Sequence, residues 1–161
     1  MGGLTQTSPS QVNTRAKMKS MFIYNFTKYT EWPESYKQGE FVIGIVGDDA
    51  LASELENIAK TKKINSQSLI VKKFNSSSEV TKCHVLYVSG KAPQIEPYSK
   101  KAKNYSCLVV TEASGAIDNL AAINFIVVGA QLKYEMNKAL FKNQGLVVSK
   151  SLENLAAKVI N

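Results

Sequence analysis

Apolar residues recur at helical spacing from Val12 to Trp32. At about 100° per residue, Met18, Met21, Phe22, Phe26, Tyr29 and Trp32 fall on one side, and Ser20, Thr27 and Glu31 on the other. The pattern predicts an amphipathic helix over 12–31, stopped by Pro33. One residue breaks it: Asn25 lands inside the apolar arc, between Met18, Phe22 and Tyr29. A buried amide needs partners, because leaving one group unpaired costs about 1–3 kcal/mol. The expectation is that Asn25 bonds the backbone of the Trp32–Pro33 exit or of the Gly145–Leu146 loop and pins the helix to the domain. The rival is that it lies on an exposed contact surface.

Beyond Pro33 the pattern changes period. Residues 40–47 are a continuous apolar run ending in Gly47, which reads as a buried strand. A helix follows over 48–63, capped by Asp48 or Asp49, with Leu51, Leu55 and Ile58 inward. Residues 68–74 are a more polar strand, nearer an edge; 84–90 and 106–112 are two further strands. Between them, 93–104 reads as a short helix interrupted by Pro97. This order calls for a parallel sheet with right-handed crossovers and helices on both faces. Residues 123–137 hold two strands around Gly129-Ala130, a tight hairpin. The second alternates Leu132, Tyr134 and Met136 with Lys133, Glu135 and Asn137, so the hairpin extends the sheet and exposes one face of its last strand. A short helix over 138–145 is closed by Gly145 at C′, and a terminal helix over 151–160 turns Leu152, Leu155, Ala156 and Val159 inward. The fold class is α/β in three layers.

The chain has 161 residues, 44% of them hydrophobic, enough for one domain with a core over 12–161. Residues 1–11 are small, polar and unpatterned and read as a tail or expression scar, so a signal peptide missing here does not point to the cytosol. No run of about 18 apolar residues offers membrane insertion. The net charge is +7, yet among twenty lysines and arginines only Arg15 is arginine. Phosphate and base recognition favour the bidentate arginine fork, which argues against nucleic acid. Lys60, Lys62 and Lys63, and Lys100, Lys101 and Lys103, suit the negative ends of helices. A lysine-rich face toward an acidic partner or a membrane surface stays open.

An open α/β sheet usually binds ligands at the carboxyl ends of its strands. Those ends carry Gly47, Asp48 and Asp49; Ser89 and Gly90; Thr111, Glu112, Ser114 and Gly115. Asp48, Asp49, Ser89 and Glu112 are the candidate ligand pocket, although turns and helix caps account for the same residues. The turn after the first strand has one glycine, with no dinucleotide or phosphate-loop pattern. His84 is the only histidine and starts its strand at the opposite end of the sheet; its neighbour Cys83 points to the other face, which argues against a dyad. No cofactor, metal or catalytic residue is expected. Cys83 and Cys107 open the third and fourth strands; if these are neighbours, as their order in the chain suggests, the two lie at one end of the sheet with Cα atoms roughly 5–6 Å apart. They are either a disulfide or two buried thiols.

Three stretches together resemble the YfiR family: FIYNFTKYTEWP (22–33), CHVLYVS (83–89) and the run from Ile123 to Val159, whose Glu135-Met136-Asn137 turn and Gly145-Leu146 match its C-terminal signature. Asn25, Trp32, Pro33, Asn137 and Gly145 are the signature positions. Met136 replaces the usual aliphatic residue, and Ser149, Lys150 and Ser151 stand where two serines and a lysine are usual. The resemblance implies a Rossmann-like sandwich without a nucleotide site, export to the periplasm, and a non-enzymatic role. The family's best-known members bind the periplasmic sensor domain of a membrane-anchored diguanylate cyclase and hold it off, lowering cyclic di-GMP and biofilm formation. It also implies that Cys83 and Cys107 are bridged, since members often contain disulfides.

Two functions are therefore carried forward. The first is a binding module that contacts a membrane signalling protein through the aromatic exit at Tyr29, Trp32 and Tyr36, or through the hairpin edge, which would also serve a homodimer. The second is a small-ligand sensor or unrecognised enzyme at the strand ends.

Overall fold

The computed structural model describes residues 9–161. In chain order the elements are α1 (Pro9–Lys28), β1 (Thr30–Glu31), β2 (Phe41–Val46), α2 (Asp49–Ala59), β3 (Lys63–Ile64), β4 (Gln67–Lys73), β5 (Val85–Val88), α3 (Ala92–Ala102), β6 (Leu108–Thr111), β7 (Ile123–Val128), β8 (Gln131–Asn137), α4 (Lys138–Asn143), β9 (Val147–Val148), α5 (Lys150–Leu155) and β10 (Lys158–Ile160). The main sheet of the described residues has eight strands in the order β10-β8-β7-β6-β5-β2-β4-β3. Its strands run parallel except at the β7–β8 hairpin and the β3–β4 edge. The expected mixed α/β sandwich is present.

β2, β5 and β6 are buried along their whole lengths, because both faces of the central sheet are covered. One face packs Ile43, Ile45, Tyr87, Val110 and Phe125 against α1 and α2. The other packs Leu86, Val88 and Val109 against α3, with Cys83 and Cys107 in the same cluster. On that second face Gly44 makes room for Phe74, since a Cβ at Gly44 would stand 2.5 Å from the Phe74 ring. Gly44→Ala is expected to lower unfolding free energy by about 1–3 kcal/mol, the usual range for overpacking. A denaturant titration checks it, and a neutral result would mean the ring is free to move.

Several expectations change in the folded chain. α1 begins at Pro9, inside the stretch read as a tail, and ends at Lys28; Thr30–Glu31 pair with β9 instead. The rest of that tail, residues 1–8, lies outside the described residues. α3 runs through Pro97 rather than breaking there, although the proline nitrogen has no hydrogen to donate. The terminal helix stops at Leu155, which is exposed, and Lys158–Ile160 form β10, parallel to β8. Ala157 N–H donates to Tyr134 O at 2.8 Å and starts that ladder. β10 therefore covers the β8 edge that self-association would have used.

Asn137, expected on an exposed face, is buried. Its Oδ1 caps α4 by accepting from Leu140 N–H, and its Nδ2 donates to Ile117 O at 2.8 Å. Gly145 sits at φ +74°. Gly145 N–H donates to Lys142 O and Leu146 N–H to Phe141 O, the paired bonds of a Schellman cap, as the C′ assignment expected.

Candidate functional site: the strand ends and the outer face of the first helix

α1 is rotated relative to its apolar arc. Ala16, Lys19, Ser20, Ile23, Phe26, Thr27 and Thr30 are buried, while Met18, Met21, Asn25 and Tyr29 are exposed. Ser20 and Thr27 are tolerated inside because each hydroxyl donates to a carbonyl of its own helix, Ser20 to Lys17 O at 2.7 Å and Thr27 to Tyr24 O at 2.5 Å. These short side chains face the core cheaply and leave bulkier methionines outside. Asn25 pins nothing: it faces solvent in the middle of an exposed Met18–Met21–Tyr29 stripe. Asn137 is an amide that does pin segments of this fold together, joining α4 to the Ile117 carbonyl.

The aromatic exit divides. Only Tyr29 is an exposed group. Trp32 is 6% exposed, its ring edge-on to Phe41 at 5.1 Å and its indole N–H donating to His84 O at 3.2 Å. Tyr36 is half-buried; its hydroxyl accepts from Ser106 N–H at 2.9 Å and Lys82 lies over its ring. Trp32 is part of the core and is not available as an anchor for a partner.

His84 holds this corner together. Its Nδ1 accepts from Val42 N–H at 3.1 Å, so the ring proton is on Nε2, which donates to Tyr36 O at 2.6 Å. The ring stacks on Phe41 at 4.1 Å. Burial pushes its pKa below the usual histidine value, and nearby Lys82 adds to this against the Tyr36 carbonyl. The neutral ring is thus favoured in the fold. Between the folded value and the ordinary value near 6.5 the unfolded chain binds more protons, so stability rises with pH there. His84 contributes fully above about pH 6.5, and its contribution fades as pH falls toward the folded value. Urea midpoints measured from pH 7.5 down to 5 should decline, and His84→Gln should flatten that decline.

At the carboxyl ends of the strands the four candidate residues do not converge. Asp48 caps α2, accepting from Leu51 N–H at 2.9 Å. Asp49 points into solvent beside Lys73 at 3.6 Å. Ser89 donates to Gly47 O at 2.9 Å. Asp48 and Glu112 alone line one open cleft of about 610 Å³, walled by the first turns of α1 and by Ala130 at the hairpin tip. Glu112 is engaged from α1: Lys19 Nζ bonds Oε1, and Arg15 stands 3.9 Å from Oε2. Lys19 also reaches the Tyr87 hydroxyl at 3.2 Å. Burial alone would lower the Lys19 pKa, but Tyr87 and Glu112 outweigh it and hold the ammonium above its usual value. The cluster is a charge clamp that ties α1 across the sheet. Lys19 is not singled out by the local pattern, because a lysine weighs as solvent-facing even beside Phe26 on the helical projection; its i−3 and i+4 relation to Ala16 and Ile23 was the available signal.

The thiols of Cys83 and Cys107 lie 3.6 Å apart, both fully buried. Among the described residues no three His, Cys, Asp or Glu side chains gather as a metal set, and no helix is long and apolar enough to cross a membrane.

No curated protein matches the chain. Among solved structures, a conserved domain protein from Vibrio cholerae O1 biovar eltor is similar in fold, with a TM-score of 0.57 at 14% identity over 89% of this chain. The match spans 60% of that protein's length. The YfiR/HmsC-like family profile matches residues 16–157, and with helix, sheet and C-terminal cap as described, the chain belongs to the YfiR/HmsC-like family.

Proposed function

We propose that residues 12–161 act as one non-enzymatic domain that controls a membrane-anchored diguanylate cyclase by direct contact with its periplasmic part. The observation that carries this reading is family membership across nearly the whole chain; the family comprises periplasmic regulators of cyclic di-GMP signalling. The strand-end carboxylates agree with it. Asp48 is committed to a helix cap and Glu112 to the α1 clamp, so neither is poised as a general acid or base. Export to the periplasm would place Cys83 and Cys107 where a bridge is stable. The test is co-purification: the exported chain should retain the detergent-solubilised cyclase encoded in the same genome, and failure to retain it would reject the reading.

The shared cleft of Asp48 and Glu112 favours a second reading, a small-ligand sensor. Asp49 and Ser89 lie outside that cleft. A metabolite held there at 100 times its Kd should add about 2.7 kcal/mol of stability in a thermal-shift screen.

A further inference from the structure

We propose that the outer face of α1 is the docking surface of this protein and that its occupant is an acidic amphipathic helix of the partner. The inference rests on the contact-regulator reading and names the surface and the partner chemistry. The face runs from Lys17 to Tyr29, about 18 Å along the helix axis. It carries Met18, Met21 and Tyr29 in a line, Asn25 between them, and Lys17 and Lys28 beside them, all exposed.

Three features decide among occupants. The first is charge. α1 contains Arg15, Lys17, Lys19 and Lys28 and no acidic residue. Lys19 and Arg15 are paired with Glu112, whereas Lys17 and Lys28 have no carboxylate partner among the described residues. On a chain of net charge +7, two copies meeting here would bring these lysines together, which disfavours self-association and favours an acidic partner. The second is Asn25. Its amide lies at the centre of the stripe, where acyl chains would leave it unpaired but a protein partner can bond it. The third is the methionines, whose unbranched thioethers adapt to an apolar ridge. The Val12 and Met18 end of the stripe borders the cleft of about 610 Å³ beside the hairpin tip, which marks where the face ends.

Two probes test this with the full chain, because one of them does not depend on the cyclase. The first is a synthetic amphipathic peptide with a leucine stripe flanked by glutamates, against the same peptide flanked by lysines. Amide shifts on adding the acidic peptide should be confined to the outer face of α1, be absent with the basic peptide, and weaken at least tenfold in Met21→Asp and in Lys17→Glu/Lys28→Glu. No binding, or shifts elsewhere, overturns the proposal. The second probe is the purified periplasmic domain of the cyclase. The same variants should lose at least tenfold in affinity, while Leu155→Asp, on an exposed residue outside α1, binds like wild type. Undiminished cyclase binding in the α1 variants overturns the surface and leaves the contact-regulator reading standing. Acidic-peptide binding at α1 without cyclase binding does the reverse. Binding to phosphatidylglycerol vesicles, or a dimer in sedimentation, either one abolished by Met21→Asp, gives the face to another occupant and overturns the proposal.

Discussion

Phe26→Ala is expected to lower the unfolding free energy by about 3–5 kcal/mol, the range for removing a fully buried phenylalanine. Phe26 is 0% exposed and lies 5.0 Å edge-on from the Tyr134 ring and 5.8 Å from Phe125, while Phe22 bridges the same two rings. These contacts fasten α1 to the β7–β8 hairpin, so the loss includes the cavity and several ring pairings. Met21→Ala, five residues earlier on the apolar arc read from sequence, should change stability by less than about 0.5 kcal/mol, as surface substitutions do. Urea midpoints at constant slope give both numbers. Equal losses at the two positions would mean that α1 is turned by roughly half the width of its arc, and that Met18, Met21 and Tyr29 are core.

The second large effect concerns the cysteines. Protein exported to a periplasm should be lighter than its reduced form by two hydrogens, and more stable by about 3 kcal/mol, from a bridge between residues 24 apart in sequence. The thiols already sit side by side in the cluster beneath α3. Burial and the adjoining Cys83 thiol push the Cys107 thiol well above its usual pKa, so the thiolate that attacks is scarce once the chain has folded. The bridge should therefore form during folding in an oxidising compartment and form slowly in purified, reduced, native protein. Cys83→Ser/Cys107→Ser should show no dependence of stability on reductant. Unchanged mass after export, with equal stability in reducing and oxidising buffer, would leave the pair as thiols.

The central strands were legible because burial on both faces leaves no room for alternation: 41–46 and 85–88 carry apolar residues at almost every position and pair at the middle of the sheet. The Gly145 cap and the Gly129-Ala130 hairpin were legible because each needs a backbone that glycine supplies. α1 was misread for a reason of chemistry. Methionine and tyrosine weigh as apolar wherever they stand, whereas Ser20 and Thr27 weigh as polar although helix carbonyls silence their hydroxyls. The C-terminal strand was hidden by helical spacing through Leu152 and Leu155; it forms because the edge of β8, distant in sequence, is open to Val159 and Ile160. At the candidate site, Asp48 and Glu112 followed from the rule for parallel sheets. Lys19 did not, because its partnership with Glu112 depends on α1 crossing the strand ends, which no local pattern states.

Asn25 stands exposed at the middle of the outer face of α1. Its place in the apolar arc was correctly read, and its burial was not. The arc straddles the boundary between core and solvent, with Phe22 and Phe26 turned toward the hairpin and Met18, Met21 and Tyr29 turned out. An exposed apolar line centred on an amide and flanked by lysines that meet no carboxylate among the described residues suits recognition of another chain better than it suits solvation.

The most direct test of contact-based regulation is cellular cyclic di-GMP in bacteria that carry the membrane-anchored cyclase and export this chain. Wild type should lower it, Asp48→Asn and Glu112→Gln should lower it equally, and Met21→Asp should leave it at the level of cells without the chain. Cyclic di-GMP unmoved by wild type, or lowered by Met21→Asp but not by Asp48→Asn or Glu112→Gln, would contradict it.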